Sequence, residues 1–126
     1  MDDKNSSGVI LLTYKGKVLL MHKQESVIDE ENHPWCFIEG FKEEKESFEN
    51  ALSRTVEEEA GIVIENVECV SESCYHAKLT DDNVNNIQRG ENQLLDFFNP
   101  KDLKKLLLSK TTQEFISKHS SLIPTL

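Results

Sequence analysis

Cysteine, basic side chains and long apolar runs are all scarce in this sequence. Its 126 residues include only three cysteines (Cys36, Cys69 and Cys74) and no Cys-x-x-Cys pair, which predicts reduced thiols rather than a disulfide framework. No segment reaches the roughly 20 apolar residues that a membrane-spanning helix needs. The N-terminus is polar and acidic, unlike a secretory or organellar targeting segment. We therefore expect a cytoplasmic protein with no membrane partner.

The shortage of basic side chains limits the classes of partner. Fourteen Lys and Arg residues stand against 23 Asp and Glu residues, which makes the formal net charge −9. An extended nucleic-acid surface requires clustered Lys and Arg, so this composition argues against a nucleic-acid partner. An acidic protein can still hold a phosphorylated small molecule when divalent cations lie between the two.

Segments typical of strands and of helices alternate along the chain and predict a mixed α/β fold. No internal repeat or linker divides the sequence, so we expect one domain over residues 1–126. The predicted elements are a hairpin at 8–14 and 17–22, a strand at 35–38, a helix at 47–60, one or two strands within 62–79, a polar loop at 80–90, a strand at 93–98, a helix beginning at 99–100 and a last helix at 111–119.

The predicted helix at 47–60 carries an unusual distribution of charge. Ser47 can act as its N-cap and Gly61 as its C-terminal stop. On a helical wheel of about 100° per residue, Glu59 falls about 20° from Phe48, inside the apolar stripe. Glutamates 57–59 also crowd the end where the helix dipole disfavours negative charge. Two interpretations remain open: a solvated acidic helix end, or carboxylates neutralised by Mg²⁺ or Mn²⁺.

The spacing of residues 40–62 resembles the Nudix box, whose pattern is G-x5-E-x7-R-E-U-x-E-E-x-G-U with U a bulky aliphatic residue. Here the segment is Gly40, five residues, Glu46, seven residues, and then Arg54-Thr55-Val56-Glu57-Glu58-Glu59-Ala60-Gly61-Ile62. Eight of the nine defined positions match, with the spacing intact. The preceding paired strands, the Trp-x-Phe approach and the downstream Phe-Phe-Asn-Pro-Lys-Asp-Leu run also look like ordinary members. The resemblance therefore covers most of the chain.

The resemblance implies an α/β/α sandwich with a mixed sheet, in which the box forms a loop–helix–loop. It implies that Glu58 and Glu59 are the core metal ligands and that Glu46 is a loop ligand or support. Arg54 would orient these carboxylates, and its i,i+4 spacing to Glu58 favours an ion pair. Gly40 would belong to the metal site. Gly40 and Gly61 would lie at the two ends of the motif, where glycine allows backbone conformations that other residues disfavour.

Family members commonly take a general base or a further ligand from a segment well after the box. Glu91 is the first candidate for that role, because it borders a polar loop that could close over a substrate, and Asp96 is the second. A solvated loop glutamate is the alternative for Glu91. Tyr75 and His76 could border a base pocket, although strand residues are more often simply packed.

Two positions depart from the family pattern. Thr55 replaces the glutamate that follows the box arginine, and Glu39 stands where many members have a glycine. Thr55 cannot ionise, so one metal site could be lost; we favour a core-edge position for it. Glu39 could compensate in part or could be a surface carboxylate.

The implied activity is hydrolysis of a nucleoside diphosphate linked to another group, with Mg²⁺ or Mn²⁺ as cofactor. The short chain looks most similar to members that cleave nucleoside triphosphates, oxidised ones included, to a nucleoside monophosphate and pyrophosphate. The alternative is a Nudix-fold module that binds a nucleotide without hydrolysing it. Either would use a small-molecule nucleotide and act as a monomer or homodimer.

Overall fold

The computed structural model describes residues 7–23, 34–88 and 93–123. Its strands are Ser7–Tyr14 (β1), Lys17–Lys23 (β2), Ile38–Phe41 (β3), Glu68–Ser71 (β4), Cys74–Lys78 (β5) and Gln93–Phe98 (β6). Its α-helices are Phe48–Ala60 (α1), Asp81–Asn85 (α2) and Lys110–Lys118 (α3), and 3-10 helices span Pro100–Lys105 and Ser120–Leu122. No helix within these ranges is long and apolar enough to cross a bilayer.

The β1–β2 hairpin forms where the sequence predicts it. Its two turn residues, Lys15 and Gly16, both have positive φ, 48° and 80°. A two-residue turn with two left-handed residues matches the right-handed twist of antiparallel strands. The strands then pair from Tyr14 opposite Lys17.

The sheet is mixed, as the resemblance implies. Its strand order is β4-β5-β1-β2-β6, and β3 pairs with the first half of β1. The β1–β5 pair is parallel, and every other pair among these named strands is antiparallel. In the β1–β3 register Gly8 lies opposite Gly40, which holds the beginning of the box against the centre of the sheet.

Alternation along β1 gives the sheet two apolar faces. Ile10 and Leu12 belong to the same buried cluster as Leu52 of α1. Val9 and Leu11 face the opposite side and pack in a second cluster with residues of α3. Because successive side chains of a strand point to opposite faces, one helix covers each face. The α/β/α sandwich is confirmed.

The strand predicted at 35–38 begins later, at Ile38. Trp35 and Cys36 instead form single bridges, to Leu108 and Met21 respectively. These bridges tie the segment to two different parts of the sandwich, so it cannot continue one ladder. The apolar residues of this segment therefore indicate packing against the sandwich rather than a continuous strand. The sequence pattern does not distinguish these two cases.

The loop predicted at 80–90 contains a short helix, α2. Thr80 accepts a hydrogen bond from the Asn83 N–H, and the Asn83 side chain accepts one from the Thr80 N–H. Side chains that favour loops are also the ones that cap helices, which explains the difference. After Asn99, the predicted helix is a 3-10 helix with Pro100 in its first turn.

Candidate active site

The ends of α1 are set by its own sequence. The Ser47 side chain accepts a hydrogen bond from the Asn50 N–H at 3.1 Å. Gly61 has φ 71°, and its N–H donates to the Glu57 carbonyl oxygen at 2.8 Å. Both predicted caps are confirmed. The last turn of α1 contains no basic residue, so no cation of that turn offsets the box glutamates at the negative end of the helix.

Arg54 connects the box helix to the loop before it. Its Nη2 donates to Glu46 Oε1 at 2.9 Å, and its Nε lies 3.3 Å from Glu46 Oε2. The same Nη2 donates to the Phe41 carbonyl oxygen at 3.1 Å. A bidentate guanidinium–carboxylate pair fixes both position and orientation. Arg54 therefore anchors α1 to the end of β3 and to the loop that follows it.

Glu46 is held from a second direction by the loop backbone. Its Oε1 accepts the Glu43 N–H at 2.8 Å, and its own N–H donates to the Glu43 carbonyl oxygen at 2.9 Å. The hydrogen bond from Arg54, followed by that from Glu43, keeps the pKa of Glu46 below its ordinary value. The Glu46 side chain is 19% exposed. It is thus an ionised, largely enclosed support for the loop.

Glu58 and Glu59 differ in their surroundings although they are adjacent. Glu58 is 59% exposed, and its Oε1 lies 3.5 Å from Arg54 Nη1, which confirms the expected i,i+4 contact. Glu59 is half-buried, and its Oε2 is shielded from solvent. On the helical wheel Glu59 falls about 20° from Leu52, within the arc that the buried positions of α1 span, as predicted.

Thr55 is a core-edge residue, as favoured from its place on the wheel. Its hydroxyl donates to the Ala51 carbonyl oxygen at 2.9 Å. A Cβ atom on Gly40 would lie 2.6 Å from Thr55 Oγ1, closer than packed atoms come. Gly40 is therefore required for the close approach of α1 to β3, whereas Gly61 is required for its left-handed backbone.

Glu39 and Asp96 lie on the far side of the sheet from the box helix. Ile38 and Gly40 face α1, so Glu39 between them points to the other face. Asp96 lies opposite Leu20, which belongs to the cluster under α3. Strand register and alternation therefore place both carboxylates on the sheet face opposite α1. Glu91 lies outside the described residues.

Tyr75 and His76 are packed rather than lining a cleft. Tyr75 lies in the cluster under α1, with its ring centroid 6.1 Å from that of Phe48, and burial raises its pKa. His76 faces the other side, where its Nε2 is 2.9 Å from Thr13 Oγ1. Burial lowers the pKa of His76. The packed interpretation is confirmed for both.

The hydrogen-bond network around Arg54 and Glu46 includes two backbone groups that the sequence pattern could not identify. The Phe41 carbonyl oxygen accepts from Arg54, and the Glu43 N–H donates to Glu46. Every non-proline residue carries these groups, so residue type provides no signal for them. Only the path of the loop brings them to the charged side chains.

The sequence matches the profile of a known protein family. The NUDIX domain profile matches residues 3–118. The chain belongs to the Nudix hydrolase family. No curated protein matches it significantly.

Solved Nudix structures share the fold. A MutT NUDIX hydrolase from Burkholderia pseudomallei aligns with a TM-score of 0.69 at 19% identity, over 90% of this chain and 95% of that one. A NUDIX family hydrolase from Clostridium perfringens aligns with a TM-score of 0.67 at 18% identity, over 97% and 99%. The NUDIX domain of Shewanella oneidensis NrtR, crystallised with ADP ribose, aligns with a TM-score of 0.64 at 18% identity, over 92% and 86%.

Nudix hydrolases generally use divalent metal ions, and the donors of α1 fit such an ion in their chemistry. Across residues 7–23, 34–88 and 93–123, no group of three or more Asp, Glu, His or Cys side chains is placed to enclose a metal. Mg²⁺ does not need such a cage, because it commonly binds one or two carboxylates together with water and substrate phosphates. The adjacent carboxylates of Glu58 and Glu59 supply hard oxygen donors of this kind.

Proposed function

We propose that this Nudix hydrolase cleaves nucleoside triphosphates, oxidised ones included, to a nucleoside monophosphate and pyrophosphate. The family supports the coarser activity, hydrolysis of a nucleoside diphosphate derivative. The observation that carries the proposal is the contact of Arg54 with both Glu46 and Glu58, one turn from the half-buried Glu59. We propose that this contact keeps the carboxylates of Glu46 and Glu58 in position for a cation at the end of α1.

In this proposal Glu58 and Glu59 would hold Mg²⁺ or Mn²⁺, with Glu46 and Gly40 supporting the site from the loop and β3. When bound, the cation would lower the pKa of an attacking water and offset charge on the phosphorus oxygens. Arg54 would position the carboxylates without contacting the substrate. Second-layer hydrogen bonds of this kind keep ligands in the orientation a metal requires.

Glu91 is the residue we propose as general base, in a segment that follows α2 and precedes β6. Attack of water on one phosphorus breaks a phosphoanhydride bond, and the proton of that water must go to a nearby acceptor. Glu91→Gln removes the acceptor and keeps the size, so it should lower turnover more than it lowers nucleotide affinity.

The deciding experiment measures product formation from a panel of nucleoside triphosphates, 8-oxo-dGTP and ADP-ribose. Each is assayed with Mg²⁺ and again with excess EDTA. We expect nucleoside monophosphate and pyrophosphate from at least one triphosphate, only when metal is present. Hydrolysis of ADP-ribose alone would contradict the triphosphate proposal and leave the coarser activity standing.

A second candidate is a nucleotide-binding module without hydrolysis. Two observations favour it: Thr55 offers no carboxylate to a metal, and a related NUDIX domain has been crystallised with ADP ribose. Calorimetric titration with ADP-ribose and with each triphosphate distinguishes the two candidates. Tight binding of one ligand, with no turnover of any, would establish the module.

A further inference from the structure

An apolar groove lies beside α3, outside the box and its supporting loop. Its volume is about 190 Å³, and the apolar side chains lining it are Leu103, Leu108 and Ile116. Pockets for drug-sized ligands are usually about 300–1,000 Å³. The groove is therefore of a size to take one or two side chains rather than a whole nucleotide.

One lysine lines this groove, and two more lie on the same faces of the two elements that form it. Lys104 lines it from the 3-10 helix Pro100–Lys105, and Lys101 lies one 3-10 turn earlier on the same side. On α3, Lys110 occupies the same helical stripe as Gln113 and Ser117, which line the opposite wall. All three lysines are exposed.

This segment differs in charge from the chain that carries it. Residues 100–118 contain five lysines and two carboxylates, whereas the whole chain has a formal net charge of −9. At physiological ionic strength charges farther away than about 8 Å are largely screened. The segment that forms the groove therefore has a formal net charge of +3, opposite in sign to that of the whole chain.

The groove is built on a fixed frame. The Trp35 N–H donates to the Leu107 carbonyl oxygen at 2.8 Å, and the Ser109 N–H donates to the Trp35 carbonyl oxygen at 2.9 Å. The Phe37 N–H donates to the buried Thr112 Oγ1 at 2.9 Å. A preformed site loses less entropy on binding than one that must be ordered.

We propose that this groove binds an acidic peptide segment that inserts one or two aliphatic side chains. The apolar floor would take the aliphatic side chains, and the lysines would pair with carboxylates on either side of them. Electrostatic complementarity of this kind selects the partner by the sign of its charge.

The probe is a fluorescein-labelled synthetic peptide with two leucines flanked by four glutamates, titrated with the full chain. One control peptide has serines in place of the leucines, and another has lysines in place of the glutamates. We expect saturable binding of the first peptide alone, weakening as salt is raised. Equal binding of the serine peptide would overturn the insertion of side chains into the groove.

Variants of groove residues distinguish binding in the groove from nonspecific attraction between the peptide and the protein's lysines. The double change Lys104→Glu and Lys110→Glu should weaken binding about tenfold, because each exposed pair contributes up to about fivefold. Ile116→Ser should weaken it without removing charge. The matched control is Lys17→Glu, an exposed lysine on β2, which should leave affinity unchanged. Unchanged affinity in the groove variants, with their melting temperatures kept, would overturn the proposal.

Two alternative occupants are tested with the same proteins. Cosedimentation with vesicles of one part phosphatidylserine to three parts phosphatidylcholine, lost in the double lysine variant, would assign the groove to a membrane. Concentration-dependent self-association lost in Ile116→Ser would assign it to a second copy of the chain. Either result, without peptide binding, would overturn the acidic peptide.

Discussion

Arg54 and Glu46 form a bidentate pair, with Nη2 2.9 Å from Oε1 and Nε 3.3 Å from Oε2. The pair joins the middle of α1 to the loop that precedes it, across eight positions of the sequence. Glu58 contacts the same guanidinium from the next turn of the helix at 3.5 Å. The Arg54 guanidinium thus contacts two of the three glutamates proposed for the metal site.

The first prediction concerns that guanidinium. Arg54→Gln should lower catalytic efficiency by about 10–100-fold, the range typical of residues that orient metal ligands. Arg54→Lys keeps the charge but loses the planar fork, so it should recover only part of the loss. Steady-state kinetics on the best triphosphate, with Mg²⁺ varied, measures both. Full activity in Arg54→Gln would exclude a positioning role.

The second prediction separates two neighbouring glutamates. Glu59→Gln should lower turnover at least about a hundredfold, because metal stabilisation of the transition state is worth several kcal/mol. Glu57→Gln is the matched control, since Glu57 is exposed in the same turn. Circular dichroism should show both variants folded. Equal turnover in the two variants would remove Glu59 from the ligand set.

A third prediction tests the departure at Thr55. Thr55→Glu restores the family pattern and should raise the apparent affinity for Mg²⁺. Without metal it should be less stable than Thr55→Gln, because like charges one turn apart repel by a few tenths of a kcal/mol. Melting curves of both variants, with and without Mg²⁺, measure the two effects. If Mg²⁺ raises the melting temperatures of both equally, position 55 does not face the metal.

A fourth prediction concerns the packing of α1 against β3. Gly40→Ala places a methyl group 2.6 Å from Thr55 Oγ1 and 3.2 Å from Leu52 Cδ2. Overpacking of this kind costs about 1–3 kcal/mol of unfolding free energy, measurable by urea denaturation. Thr55→Ala removes the oxygen, so in the double variant the loss should be smaller than the sum of the single losses. If the losses of the two single variants simply add, the strain introduced by Gly40→Ala is relieved without any change at Thr55.

The fifth prediction concerns pH. His76 is buried between Thr13 and the strand that carries Glu68, and its pKa is lowered from 6.5. Since the unfolded chain binds this proton more readily, the stabilisation is complete above about pH 6.5 and is lost as pH falls through the lower folded value. His76→Gln should flatten the dependence of melting temperature on pH over that window. An unchanged slope would place the titrating group elsewhere.

Several features of the site follow from sequence alone because they depend on short-range geometry. Ser47 and Gly61 mark the ends of α1, and the spacing of Arg54 and Glu58 sets an i,i+4 contact. The hairpin turn at Lys15 and Gly16 is local in the same sense. Each relation joins residues a few positions apart, so helix or turn geometry determines it.

Only the tertiary structure decided which candidate carboxylates share a face with the box. Asp96 and Glu39 were plausible by residue type, yet strand register and alternation turn both away from α1. Likewise, Gly40 must be a glycine because Thr55 approaches it closely in the folded chain. Register and the approach of helix to strand depend on pairings between distant segments. A local pattern does not encode them, because a shift of one residue in a strand reverses the face of every side chain.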